Sequence, residues 1–125
     1  MKLDTDQNQG ADIDLSAYRE LFFEESAKYL SALRQNLTRL TDNPADAESV
    51  REARRAAHTL RGMASTMNYV DLAILGKRLE SRFRSEELLT SDQIDSLLAG
   101  CDEFEVGLRR LDSGPEKVDA GDDER

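Results

Sequence analysis

Apolar residues recur at helical spacing through most of this chain. Between Leu15 and Leu40, the positions Leu15, Tyr18, Phe22, Tyr29, Leu33, Leu37 and Leu40 fall mostly three or four apart. That is the period of one face of an amphipathic helix. Thr41-Asp42-Asn43-Pro44 closes the run, and Pro44 both bars continuation and favours a new helical start. A second stripe, Val50, Ala53, Ala57, Leu60, Ala64 and Met67, alternates steps of three and four. Its small side chains allow neighbouring helices to come close. Asn68-Tyr69 breaks the pattern and predicts a tight connection, after which Leu72, Leu75, Leu79 and Phe83 share a third stripe. Beyond Arg84-Ser85-Glu86-Glu87, Thr90 with Gln93 three residues later forms a capping-box pattern. A fourth stripe then runs through Ile94, Leu97, Cys101, Phe104, Leu108 and Leu111, and Gly114-Pro115 is expected to end it.

No strand-like alternation competes with these periods. The fold expected is all-α, an antiparallel up-down four-helix bundle over residues 15–111. The polar stretch 1–14 reads as a flexible tail, and 112–125 as a polar tail or linker.

Composition narrows the partners. A chain of 125 residues forms one domain with one modest core. Its 26 acidic against 17 basic residues give a net charge of -9, which argues against nucleic acid and against anionic membrane surfaces. Basic or neutral proteins fit better. The single cysteine, Cys101, has no internal disulfide partner, and the opening MKLDTDQNQG lacks the apolar core of a secretory signal. No run approaches the ~20 apolar residues of a membrane span. A cytoplasmic protein is the expectation. One histidine and one cysteine on different helices make no metal site, and no phosphate-cradling glycine loop or nucleotide-binding motif is present.

The one histidine, His58, is the best candidate for chemistry, because imidazole alone titrates near neutral pH without perturbation. Ala57 and Leu60 belong to the core seam, so His58 is turned roughly 100° from Ala57, toward the seam's edge. Arg54, Arg61, Gly62 and Ser65 share its face. A mid-helix glycine costs about 0.5–1 kcal/mol relative to alanine, so Gly62 points to a packing or access requirement. On the third helix, Glu80 lies at the margin of the apolar stripe, with Ala73, Gly76 and Lys77 one turn before it. Antiparallel packing about Asn68-Tyr69 sets His58 and Glu80 opposite each other. A carboxylate there can accept the proton of one imidazole nitrogen and leave the other as a nucleophile. A structural histidine beside a chance surface carboxylate is the plainer alternative. The Arg51, Arg54, Arg55, Arg61 group is either a basic docking face or an ordinary solvated one. Met67 belongs to the core seam, whereas Met63 is expected as an exposed, adaptable contact.

The thirteen residues AHTLRGMASTMNY, from Ala57 to Tyr69, resemble the phosphoacceptor segment of histidine phosphotransfer domains, above all that of CheA-type chemotaxis histidine kinases. There a histidine is followed by threonine, a hydrophobic residue, lysine and glycine, then small residues, methionine, glycine and an aromatic. FFEES in the first helix and Leu79-Glu80 downstream extend the similarity from about Tyr18 to Leu111. The resemblance implies that His58 accepts a phosphoryl group on Nε2, that Glu80 hydrogen-bonds Nδ1, and that Arg61 stands beside the phosphoryl group where the family has lysine. Gly62 matches the motif glycine, and Lys77 stands where some relatives place another polar or basic residue. Asn68 replaces the usual glycine before the aromatic, and asparagine tolerates the left-handed conformation a turn needs.

By the same resemblance the chain is a relay and not a complete enzyme. A histidine kinase catalytic domain, in the same chain or another, supplies the phosphoryl group, and the aspartate of a response-regulator receiver domain takes it. ATP and Mg²⁺ are expected on those partner domains, with no cofactor held by this one, and the isolated domain is expected to be a monomer. If it opens a CheA-like chain, the parent is a protein histidine kinase. The rival is a helical adaptor, or a degenerate relative that keeps the fold without phosphorylation.

Overall fold

A computed structural model of the chain describes the backbone of residues 2–83 and 88–123, and side chains within 16–83 and 88–113. Four helices follow one another: α1 Lys2–Asp42, α2 Ala47–Thr66, α3 Val70–Ser81 and α4 Ser91–Asp123. α1 packs on α2 and α4, and α3 packs on the same two, so the four close into a ring with no close backbone approach across the diagonals among the described residues. This is the expected all-α bundle. Segment 84–87, expected to connect α3 to α4, lies outside the described residues.

The sequence stripes meet along the bundle axis. Leu33, Leu37 and Leu40 of α1, Ala53, Ala57, Leu60 and Ala64 of α2, Leu72 and Leu79 of α3, and Ile94, Leu97, Cys101 and Phe104 of α4 are all buried. Tyr18 departs from its stripe and is 56% exposed. One turn later Phe22 packs edge-on against Tyr69 of the α2–α3 turn, with ring centroids 5.2 Å apart. Tyr18 therefore lies beyond the turn that closes this end of the bundle. Met63 also departs from expectation: it is partly buried against the core alongside Met67.

Local signals explain the helix boundaries. Pro44 sits in the α1–α2 turn and does not open α2. The start belongs to Asp46, whose Oδ1 accepts from the backbone N–H groups of Glu48 at 3.2 Å and Ser49 at 3.4 Å. Asn68 adopts φ 63°, the left-handed conformation expected of it. The Thr90 capping box is formed in both directions: Thr90 N–H donates to Gln93 Oε1 at 2.8 Å, and Gln93 N–H to Thr90 Oγ1 at 3.1 Å.

Both outer ends carry helical backbone. α1 is helical from Lys2, ahead of its apolar stripe, because the single Gly10 weakens a helix without terminating it. α4 passes through Gly114-Pro115 and continues to Asp123. Pro115 has no N–H to offer the carbonyl of Leu111 four residues earlier, the usual reason a proline disrupts a helix. That carbonyl instead accepts a hydrogen bond from the Arg19 guanidinium of α1. A second α1–α4 tie lies nearer the middle, where Arg34 Nη2 pairs with Asp102 Oδ1 at 2.7 Å and Glu105 Oε1 at 2.6 Å.

Candidate functional site

The α2–α3 pair carries the site. His58 projects from the outer face of α2 with its side chain 60% exposed, and Nδ1 lies 2.7 Å from Glu80 Oε2 on α3. Arg61, one turn along α2, donates from Nε to Glu80 Oε1 at 2.6 Å. The carboxylate is thus held at both oxygens. Because an ionised carboxylate only accepts, its partner nitrogen carries the proton, and the ring's lone pair is assigned to Nε2.

Burial raises the Glu80 carboxyl, but the hydrogen bonds from His58 and Arg61 outweigh it and hold the group below its ordinary value. Glu80 therefore stays ionised through the neutral range. The motif expected Arg61 beside a phosphoryl group; in this structure its Nε is engaged in holding Glu80. Its Nη groups make no hydrogen bond among the described residues. Lys77 is exposed and joins no ion pair among them, so it does not belong to the constellation at rest.

The two glycines divide by role. A Cβ on Gly62 would meet nothing within 4 Å, so its absence leaves the surface beside His58 open and serves no packing need within the bundle. A Cβ on Gly76 would lie 2.8 Å from the Cα of Arg61, so there α3 packs directly on the α2 backbone. The sequence points to packing or access at Gly62, and the structure favours access there and close packing at Gly76. Arg54, read from the sequence as sharing the face of His58, donates from Nη1 to the Phe83 carbonyl at 3.4 Å near the end of α3, a partner no local pattern announces. Arg51 and Arg55 are exposed on α2 and join no ion pair among the described residues, consistent with a basic surface next to His58.

His58 stands on open surface. A groove of about 810 Å³ between α3 and α4 includes neither His58 nor Glu80. None of the described grooves includes the imidazole, which is open to approach from solvent. Cys101 is fully buried, and burial pushes its thiol up to about 11, which keeps it protonated and unreactive. No group of three or more acidic, histidine or cysteine side chains suited to a metal occurs among the described residues. No helix among them is long and apolar enough to cross a membrane.

A bundle of this topology with a carboxylate-braced surface histidine is the arrangement of a phosphotransfer module. The chain belongs to the Hpt domain family, whose model matches residues 17–113. It is 34% identical over 117 residues to the chemotaxis protein CheA of Bacillus subtilis (strain 168), a match covering 90% of this chain and 16% of that protein. It spans only a small part of such relatives. Among solved structures, the CheA phosphotransferase domain from Thermotoga maritima superposes with a TM-score of 0.71 at 37% identity, covering 76% of this chain and 94% of that one. The solution structure of a CheA histidine phosphotransfer domain gives a TM-score of 0.70, also at 37% identity, over 78% and 77% of the two chains.

Proposed function

We propose that this chain relays phosphoryl groups through His58 in a chemotaxis two-component system. The Nε2 lone pair attacks the γ-phosphorus of ATP held by a histidine kinase catalytic domain. An N–P bond forms as the bond to the ADP oxygen breaks. Positive charge develops on the ring as this proceeds, and the Nδ1–H bond to ionised Glu80 strengthens with it, so the carboxylate favours the transition state more than the ground state. In the second half-reaction an aspartate oxygen of a response-regulator receiver domain attacks the same phosphorus, the N–P bond breaks, and neutral imidazole is restored.

Each residue has a part in this. Glu80 fixes the tautomer and balances the charge, and Arg61 holds Glu80 while its Nη groups face the incoming phosphoryl oxygens. Gly62 leaves the approach clear, and exposed Lys77 adds positive charge near the phosphoryl group. ATP and Mg²⁺ belong to the partner domains, with no cofactor on this one. The domain acts as a monomeric relay, and a parent of CheA type would be the complete kinase, working in the cytoplasm.

The observation that carries this reading is the 2.7 Å contact between Nδ1 of an exposed histidine and a carboxylate that is itself held by Arg61. The test is incubation with a histidine kinase core and labelled ATP, scored for acid-labile, base-stable label that is absent from His58→Gln. A folded wild type that binds the kinase or regulator yet takes no label would favour the adaptor without chemistry.

A further inference from the structure

Three glycines occupy helix–helix contacts, and they are not equivalent. At Gly100 and Gly107 an added Cβ would meet Cδ2 of Leu79 and of Leu72, the far ends of side chains that can rotate away. At Gly76 it would meet the Cα, Cβ and N of Arg61, at 2.8, 3.0 and 3.1 Å. Two of those three atoms are backbone, and the third is fixed to it. The neighbour cannot turn aside, so α2 and α3 must separate.

That contact adjoins the site on both helices of the pair. Arg61 is one helical turn from His58, and Gly76 is one turn before Glu80, on the same face of α3. Gly76 is buried, while the groups it spaces are partly exposed. Both bonds to Glu80, 2.7 Å from His58 and 2.6 Å from Arg61, span the same α2–α3 gap one turn away. We infer that Gly76 is a positioning residue for the phosphoacceptor: by letting the α3 backbone rest on that of α2 at Arg61, it sets the reach at which Glu80 orients the His58 imidazole. Ordinary carbon–carbon contact is ~3.5–4.0 Å, so a side chain at Gly76 displaces α3 by up to roughly 1 Å. A hydrogen bond at the short end of its range then leaves that range. The catalytic consequence rests on His58 being the phosphoacceptor; the geometric one does not.

The test compares wild type, Gly76→Ala and Gly107→Ala. Alanine favours helix over glycine, and one contact is at stake, so all three are expected to give the circular dichroism and dispersed amide spectrum of the bundle. The imidazole ¹⁵N shifts of His58 are recorded near neutral pH, and the rate of labelling by a histidine kinase core is measured in parallel. In wild type and Gly107→Ala the neutral ring is held with its proton on Nδ1. In Gly76→Ala that preference is lost and labelling slows about tenfold, the order expected when a reacting group is displaced by a fraction of an ångström. Retention of the wild-type ¹⁵N signature in Gly76→Ala, or loss of the whole bundle, would overturn the inference. If wild type carried no label, the phosphoacceptor reading would fall, and the ¹⁵N comparison would still decide the role of Gly76.

Discussion

Nε of Arg61 lies 2.6 Å from Oε1 of Glu80, which places the basic residue of the motif behind the carboxylate before any phosphoryl group arrives. The relationship gives Arg61 a first duty, orienting Glu80, that a lysine would perform differently. Lysine is a compact point charge with rotatable donors, whereas the planar guanidinium fixes direction. Arg61→Lys is therefore expected to keep Glu80 ionised and to lower the labelling rate only a few-fold. Arg61→Ala is expected to lower it about tenfold or more, because Glu80 is then anchored by His58 alone. Steady-state labelling with a kinase core distinguishes the two, and equal rates in both variants would remove Arg61 from the positioning of Glu80.

Glu80→Gln tests the carboxylate itself. The amide preserves size, but it can present its NH₂ to Nδ1 as well as its carbonyl, and it carries no charge to balance the developing imidazolium. Labelling should slow by about ten- to a hundredfold. Thermal unfolding should shift little, because a partly exposed side chain on the bundle surface supports none of the core.

The pH dependence has a definite sign. Glu80 is held below its ordinary value of 4.5 in the folded chain, so ionisation is favoured by folding. Its contribution to stability is fully present above about 4.5 and is lost as the pH falls through the lower folded value. The same sense applies to Asp46, whose carboxyl is held down first by the Ser49 hydroxyl and then by the Ser49 backbone N–H. Denaturant melts of wild type and Glu80→Gln should therefore differ slightly just above about 4.5 and converge as the pH falls further into acid. A difference that persists unchanged in acid would contradict the assignment.

Most of the fold was legible because each helix shows its core stripe, and Glu80 was legible because a single tight turn at Asn68 fixes the register of α2 against α3. Other features depend on partners distant in sequence. Gly114-Pro115 reads as a stop, yet α4 continues, with the Leu111 carbonyl that proline leaves without its helical donor bonded to Arg19, 92 residues away. No local pattern announces such a partner. Gly62 and Gly76 look alike in the sequence, and only the position of the neighbouring backbone tells an open face from a close approach. The N-cap of α2 was passed over for a similar reason, since Pro44 is the louder signal while Asp46 makes the hydrogen bonds.

Arg19→Met should expose that dependence on a distant partner. It retains much of the side-chain bulk but removes the donor to the Leu111 carbonyl, at a cost of about 1 kcal/mol. The loss should appear as faster amide exchange in α4 beyond Leu111, with the centre of the bundle unchanged. Uniform exchange along α4 in both proteins would show that Arg19 does not sustain the helix past Pro115.

Gly62→Leu probes the open face. Nothing lies within 4 Å of a Cβ at that position, so the bundle should fold normally. The added side chain stands beside the imidazole and should obstruct a docking surface, raising the apparent KM for labelling at least several-fold while the ¹⁵N signature of His58 persists. An unchanged KM would mean that partners approach from another direction.

The most direct measurement of the central claim is the fate of label from γ-labelled ATP with a histidine kinase core. The account predicts acid-labile, base-stable label on wild type, its transfer to a receiver-domain aspartate, and no label on a His58→Gln variant that keeps the wild-type helical spectrum. Label persisting on His58→Gln, or none on a folded wild type that binds the kinase, would contradict it.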